Sequence, residues 1–166
     1  MKMINISLLI LSVTSFISCG GDGDTSLQTL DQATINQLVA RHNVYRSEVG
    51  VDNISWSDEL AKSAQQWANK LARNCDFKHS SSGYGENLWM GTSGAFTPND
   101  VVDDWGAEKE NYTYSNNSCS DVCGHYTQIV WSTTKYVGCA KVTCDGSDIW
   151  VCQYDPPGNF VGEKPY

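Results

Sequence analysis

The sequence predicts an α+β domain in which helices pack over a β-sheet. Two segments with helical apolar periodicity come first, at 30–48 and near 57–74. A short strand-like segment and a third helix start follow, and two β-branched and aromatic runs flank Asp145-Gly146 near the end. With 166 residues, 40% of them apolar, the chain is most simply one domain with its own core.

Both early helices have start signals and an apolar face. Thr29 and Gln32 have the spacing of a capping box, which predicts the start of the first helix. The second helix is predicted to begin near Ser57, with two acidic residues in its first turn, and to end near Asn74. The residues that share one face are Ile35, Leu38, Val39, His42 and Tyr45 in the first helix, and Leu60, Ala64, Trp67, Ala68 and Leu71 in the second.

The middle of the chain combines a strand with a third helix. The segment ENLWMG, residues 86–91, is typical of a short strand inside a Ser- and Gly-rich stretch. Thr97-Pro98, with an acid in the first turn, predicts a helix start. Glu108 falls on the apolar stripe of that helix, so we expect its carboxylate to be paired, protonated or bound to a ligand.

Six of the seven cysteines form an even set that predicts three disulfides in an exported chain. A hairpin turning at Asp145-Gly146 places Cys139 opposite Cys152, at the separation that a disulfide needs. Two further cysteines are close enough to close their own loop, and elimination gives the third pair. The predicted pairs are Cys75–Cys144, Cys119–Cys123 and Cys139–Cys152. A zinc site is the alternative, although the chain has no C-x-x-C pair.

The N-terminus is interpreted as a targeting segment. Residues 1–18 predict a signal peptide, because Lys2 precedes an apolar stretch that is too short to span a bilayer but has the length of a signal-peptide core. Cys19 follows a small residue as in a bacterial lipobox, which predicts a lipidated cysteine and a flexible tether over 19–29, before a domain over 30–166. Ordinary cleavage near Ser18 is the alternative. We therefore expect an extracellular or cell-surface protein, attached to a membrane only through that lipid.

The net charge of −8 argues against nucleic acid as a partner. Binding to a phosphate backbone requires clustered Lys and Arg side chains that replace counterions. The 11 basic residues form no basic stripe in the sequence, and 19 acidic residues outnumber them.

Three histidines and two glutamates are the candidates for a functional site. His42 lies on the apolar face of the first helix, where a hydrogen-bonded core histidine is the expected role. His79 precedes Glu86 by seven residues among small residues, and His125 begins the run GHYTQIVW. Two imidazoles with one or two carboxylates could bind Zn²⁺ or another divalent cation. The glutamates could also serve glycoside hydrolysis, but the separation between their carboxylates cannot be read from the sequence.

Four ordered segments resemble the CAP superfamily: the cysteine-rich secretory proteins, wasp-venom antigen 5 and class-one plant pathogenesis-related proteins. They are GHYTQIVWSTTKYVGCA, VCQYDPPGNFVGEKPY, HSSSGYGENLW and VVDDWGAEKENYTY. The resemblance covers roughly residues 34–166. It implies a three-layer α-β-α sandwich and the same three disulfides. It also implies a central cleft that holds His79, Glu86, Glu108 and His125, whose two histidines can bind a divalent metal.

The resemblance favours an exported, non-catalytic protein that binds a sterol or fatty acid together with a divalent metal. Roles in defence, or in interaction with a host or a competitor, would be consistent with that. No nucleophile motif such as G-x-S-x-G is present. A zinc-dependent hydrolase remains an alternative, with Glu86 or Glu108 as the general base. A cell-surface module that contacts other proteins through exposed loops, such as the loop 119–123, is another.

Overall fold

The computed structural model of the protein describes residues 29–166. The predicted signal peptide, the lipidation of Cys19 and nearly all of the predicted tether lie outside the described residues. Within the described range, no helix is both long enough and apolar enough to cross a bilayer.

The described chain alternates helices and strands. Its elements are α1 Gln32–Glu48, β1 Ser55–Trp56, α2 Asp58–Leu71, β2 Gly85–Thr92, α3 Pro98–Ala107, β3 Tyr112–Thr113, β4 Ser118–Cys119, α4 Gly124–Ile129, β5 Tyr136–Cys144 and β6 Ser147–Asp155, with short 3₁₀ helices at Glu108–Asn111 and Tyr114–Asn116. The main sheet has the strand order β1-β5-β6-β2, so β2 forms one of its edges. Strands β3 and β4 form a small separate sheet.

The predicted hairpin is confirmed, with the predicted register. Strands β5 and β6 are antiparallel and pair Cys139 with Cys152 and Val142 with Ile149. Strand β2 is antiparallel to β6, and β1 is parallel to β5. The three disulfides have the predicted pairing.

Helices cover both faces of the sheet, which confirms the three-layer α-β-α arrangement. On one face, α1, α3 and α4 share a core with the sheet, built around Leu38, Val101, Ile129 and Tyr154. On the other face, α2 packs against the sheet through small side chains such as Ala64 and Ala68. Gly138 on β5 allows this close approach, because a Cβ there would lie 2.2 Å from the backbone nitrogen of Ala61.

The helix starts follow the sequence signals in two of three cases. Ser57 caps α2, and Thr97 with Asp100 forms a complete capping box at α3. The predicted capping box at Thr29 is wrong: the side chain of Asp31 caps α1 instead, by accepting the backbone N–H of Thr34 at 2.7 Å. An Asp side chain two residues further along supplies the same acceptor, so α1 begins slightly later than predicted.

Helix α4 was not predicted as a helix. Its six residues include the start of the run GHYTQIVW, whose aromatic and β-branched residues have a low helix propensity. Its C-terminal end is held by Arg46, a fully buried residue of α1. The guanidinium donates to the carbonyls of Ile129 and Trp131, at 2.9 and 2.8 Å, and to those of Thr134 and Asp52. Contacts from distant segments therefore stabilise this short helix.

Candidate functional site

His79 and Glu86 form the first of two histidine–carboxylate pairs. His79 lies in the loop between α2 and β2, and Glu86 is the second residue of β2. The distance from His79 Nδ1 to Glu86 Oε1 is 2.9 Å. The His79 side chain is 60% exposed, whereas that of Glu86 is only 6% exposed. The imidazole of this pair is therefore accessible to solvent, while the carboxylate that orients it is buried.

Two other residues hold the Glu86 carboxylate. Ser80 donates its backbone N–H to Oε1 at 2.8 Å and its hydroxyl to Oε2 at 2.6 Å. Gln153 donates its side-chain N–H to Oε2 at 3.0 Å. Gln153 lies directly opposite Glu86 in the pairing of β2 with β6 and is fully buried. With these donors and His79, both carboxylate oxygens are fixed in orientation.

Glu108 and His125 form the second pair. Glu108 caps the C-terminal end of α3, and His125 is the second residue of α4. His125 Nδ1 lies 2.6 Å from Glu108 Oε1, and Oε2 accepts the backbone N–H groups of His125 and Tyr126 at 2.9 and 3.3 Å. Glu108 is therefore paired, as expected, and it serves as the cap that α4 lacks in its own sequence. The imidazole is 27% exposed and stacks on Trp105, with 6.2 Å between the ring centroids.

Buried polar side chains connect His125 to the core. Asn87 donates to the His125 carbonyl at 3.1 Å and to the Tyr154 hydroxyl at 3.2 Å. The Tyr154 hydroxyl lies 2.9 Å from His42 Nε2, and His42 Nδ1 lies 2.8 Å from the Leu38 carbonyl. Burial lowers the pKa of His42 to about 4, against the opposing effect of the hydrogen bond to Leu38. His42 is thus a hydrogen-bonded core residue, in agreement with its position on the apolar face of α1.

Two consecutive residues of the edge strand β2 serve the two pairs. Glu86 belongs to the first pair, and Asn87 donates to the backbone carbonyl of His125 in the second. Glu86 and Asn87 point to opposite faces of the sheet, because side chains alternate along a strand. In residues 29–166, no three of the four pair side chains have ligand atoms within 4.8 Å of one another. The group of three acids, cysteines or histidines that meets this distance is Cys75, Cys144 and Asp145, and its cysteines are bonded to each other.

The donor chemistry of the pairs suits a divalent cation. Each carboxylate forms a hydrogen bond with Nδ1 of the histidine in its pair. The other ring nitrogen, Nε2, has no hydrogen-bond partner among residues 29–166 in either histidine. Histidines that bind metals commonly have their other ring nitrogen held in this way. Two imidazoles are fewer than the three or four protein ligands of typical zinc sites. A cation held by both would therefore complete its coordination with water or a bound ligand.

The hydroxyl nearest to the first pair is not arranged as a nucleophile. Ser80 donates to Glu86, and the same carboxylate accepts from His79. An activated serine needs a base such as histidine to accept the hydroxyl proton, with the carboxylate behind the histidine. Here the carboxylate lies between the two residues, so His79 does not activate Ser80 in this arrangement.

An apolar groove lies away from the pairs, where the start of α1 meets β1, β5 and α2. Its volume is about 250 Å³, and its lining includes Leu30, Ile35, Trp56, Ala61 and Cys139. The Trp56 indole N–H donates to Asp58 at 3.0 Å, so the polar atom of this ring is already satisfied. The groove thus offers mainly apolar contacts to a ligand.

Sequence reasoning missed Gln153 and Asn87 as supporting residues of the pairs. Gln153 acts across the β2–β6 pairing, and Asn87 reaches His125, 38 positions along the chain. The signal available for both was polarity: each is an amide in a strand that is otherwise largely buried and apolar. Such a residue has to find a partner, but its partner depends on strand pairing that the local sequence does not specify.

Comparison with known proteins assigns the family. The sequence profile described as "CAP: Cysteine-rich secretory protein family" matches residues 39–154. The chain is 48% identical over 126 residues to pathogenesis-related protein 1 of Arabidopsis thaliana, covering 75% of this chain and 78% of the relative. It is 44% identical over 135 residues to pathogenesis-related protein PR-1 of Medicago truncatula, covering 79% and 78%.

Solved structures agree with the sequence comparison. The fold is similar to that of Na-ASP-1, with a TM-score of 0.74 and 27% identity over 85% of this chain and 43% of that one. It is also similar to the Schistosoma mansoni venom allergen-like protein 4, with a TM-score of 0.69 and 25% identity over 82% and 95%. With the profile match and the α-β-α layers, these likenesses show that the chain belongs to the cysteine-rich secretory protein, or CAP, family.

Proposed function

We propose that this CAP-family protein is an extracellular, non-catalytic binding protein that takes up a small apolar ligand, a fatty acid or sterol, in the groove between α1, β1, β5 and α2. The apolar lining of that groove carries the proposal. The secretory family supports an extracellular location. The plant relatives are named pathogenesis-related proteins, which supports a role in defence.

The size of the groove limits how a ligand would bind. Its volume of about 250 Å³ lies just below the roughly 300–1,000 Å³ of drug-sized ligand pockets. An acyl chain, or one end of a sterol, would therefore be buried while the rest of the ligand stays outside. Each methylene buried against the lining contributes about 0.8 kcal/mol. Lys62, which also borders the groove, could pair with the carboxylate of a fatty acid.

Equilibrium binding of labelled palmitate and cholesterol tests the proposal. We expect at least one of them to bind at micromolar concentration, and Ala61→Phe, which fills the groove, to weaken that binding about tenfold or more. Ala33→Phe is the matched control, because Ala33 is exposed on α1 and does not line the groove. Absence of binding, or equal binding to Ala61→Phe and the native protein, would refute the groove as a lipid site.

We further propose that His79 and His125 bind a divalent cation, with Zn²⁺ as the first candidate, through their Nε2 atoms. The two Nδ1–carboxylate hydrogen bonds favour this second function, because they leave each Nε2 lone pair available to a metal. A bound cation would polarise a water or ligand atom that completes its coordination. Glu86 and Glu108 would act by orienting the imidazoles.

Titration calorimetry with Zn²⁺, after treatment with a chelator, measures this binding directly. We expect one equivalent of Zn²⁺ to bind the native protein, and binding to be lost in the double variant His79→Ala/His125→Ala. Equal affinity of the two proteins would place the metal elsewhere. A zinc-dependent hydrolase would reveal itself as peptide cleavage that the same double variant loses.

A further inference from the structure

We propose that Gln153 is the positioning residue of the His79–Glu86 pair. Its side-chain N–H fixes the Glu86 carboxylate, which in turn keeps the His79 proton on Nδ1 and leaves Nε2 as the lone-pair donor. The inference deepens the proposed cation binding and rests on it for its functional meaning. The structural part of the inference, which nitrogen of the His79 imidazole carries the proton, can be tested without any metal.

Gln153 is placed to act on Glu86 and on little else. The two residues are directly opposite in the β2–β6 pairing, and Gln153 Nε2 lies 3.0 Å from Glu86 Oε2. Two longer contacts, at 3.4 Å, reach the hydroxyls of Ser80 and Ser82. Gln153 is fully buried in the central strand β6, so its side chain is held by the sheet. The other residue that holds Glu86, Ser80, belongs to the same loop as His79.

The side-chain oxygen of Gln153 is a second indication that the residue is placed to hold the Glu86 carboxylate. Among residues 29–166, Gln153 Oε1 is the buried side-chain oxygen or nitrogen that has no hydrogen-bond partner. An unpaired buried acceptor is unfavourable, and an apolar side chain of similar length would avoid it. The amide therefore tolerates an unsatisfied oxygen while its N–H groups face Glu86 and the serine hydroxyls.

The state of His79 follows from the carboxylate. A free neutral imidazole prefers its proton on Nε2, the atom that a metal would need. In the structure, Glu86 Oε1 accepts from His79 Nδ1 and from the Ser80 backbone, while Oε2 accepts from the Ser80 hydroxyl and from Gln153. Without Gln153, Oε2 keeps the Ser80 hydroxyl as its single donor, so the orientation of the carboxylate is held less firmly. The hydrogen bond that selects Nδ1–H would then weaken.

Long-range ¹H–¹⁵N NMR at pH 8, without metal, reads the protonated nitrogen of each histidine. We expect Nδ1–H at His79 in the native protein, and a shift toward Nε2–H in Gln153→Met. His125, which Gln153 does not contact, should keep its spectrum and serves as an internal control. The matched variant is Gln65→Met, because Gln65 is also a buried glutamine and bonds to Asn69 rather than Glu86. It should leave His79 unchanged.

A double-variant cycle separates positioning from a general loss of structure. Adding Gln153→Met to Glu86→Gln should change His79 no further, since the carboxylate through which Gln153 acts is already gone. In the native background, Gln153→Met should lower Zn²⁺ affinity about tenfold, as removal of such supporting groups typically does. Gln153→Asn, which keeps the amide but cannot reach Glu86, should reproduce both effects and replaces Gln153→Met if that variant does not fold.

Three results would overturn the inference: an unchanged His79 spectrum in both folded variants, an equal change in Gln65→Met, or a further change in the Glu86→Gln background. If the native protein binds no Zn²⁺ but the spectra change as expected, the proposed cation site fails while the positioning role of Gln153 stands.

Discussion

The two histidine–carboxylate pairs use the same Nδ1 contact but differ in what supports them. His79 is 60% exposed on a loop, and its carboxylate is held by side chains of that loop and of β6. His125 is 27% exposed, belongs to a helix and stacks on Trp105, and its carboxylate is held by backbone N–H groups. Each pair also has a disulfide close by in the chain, Cys75–Cys144 before His79 and Cys119–Cys123 before His125.

Equal local geometry in the two pairs therefore does not imply equal coupling to the fold. The second pair is continuous with the core through Asn87, Tyr154 and His42. The first pair is tied to the sheet mainly through Glu86 and Gln153. We therefore expect perturbations of the core to reach His125 first, and perturbations of the loop to reach His79 alone.

Removal of the disulfide beside His79 should have the largest effect on stability. Cys75–Cys144 spans 69 residues, so the chain-entropy model gives a loss of about 4 kcal/mol for Cys75→Ser/Cys144→Ser. Cys119–Cys123 spans only 4 residues, which gives about 2 kcal/mol for the corresponding variant beside His125. Urea unfolding of both variants measures the difference. Equal losses would contradict the entropic basis of this ranking.

Acidification should lower the free energy of unfolding through His42, the buried histidine that is connected to His125 by Tyr154 and Asn87. The pKa of buried His42, about 4, lies below its ordinary value of 6.5, so the unfolded chain binds a proton more readily than the folded one. The His42 contribution to stability is therefore complete above pH 6.5 and is lost as the pH falls toward 4, by about 3 kcal/mol.

Urea unfolding at a series of pH values between 7 and 4 measures this loss. The variant His42→Gln should be less stable at pH 7 but should show a flatter decline with acid. A native protein whose stability does not change between pH 6.5 and 4.5 would show that His42 takes up no proton on unfolding.

Truncation of the second histidine should produce a moderate loss. His125→Ala removes a partly buried ring, its stacking on Trp105 and its hydrogen bond to Glu108, so we expect about 1–2 kcal/mol. Glu108 would still accept the backbone N–H groups at the start of α4, which limits the loss. Thermal and urea unfolding both measure it.

Truncation of the first histidine should have the smallest effect. His79→Ala removes an exposed ring, and Glu86 retains its donors on Ser80 and Gln153, so we expect a change within about 0.5 kcal/mol. The comparison of the two pairs would fail if His79→Ala destabilised the protein as much as His125→Ala in the same unfolding experiment.

Elements with local signals were predictable from the sequence. The caps at Ser57 and Thr97, and the hairpin around Asp145-Gly146, depend on residues that are close in the chain. The cap of α1 was misplaced because two suitable side chains, Thr29 and Asp31, occur two positions apart. Local chemistry permits both, and in the structure Asp31 is the residue that caps the helix.

The site was predictable only in part, for the same reason. His79 and Glu86 lie seven residues apart, so their proximity could be anticipated. The family resemblance, rather than spacing, indicated that Glu108 and His125 belong to the same site, and the structure adds that they pair with each other. Gln153 could not be anticipated, because its contact with Glu86 requires β2 to pair with β6 in one register, and that pairing is set by tertiary packing.

Helix α4 shows what grafting the His125 site onto another protein scaffold would require. Its six residues carry His125 between a carboxylate at the N-terminal end, Glu108, and a guanidinium at the C-terminal end, Arg46. Each charge opposes the partial charge of the helix end that it contacts. Segment 124–131 moved alone into another scaffold would lose both, and with them the direction of its imidazole. A designer would have to move three separate pieces of chain together to keep one histidine in place.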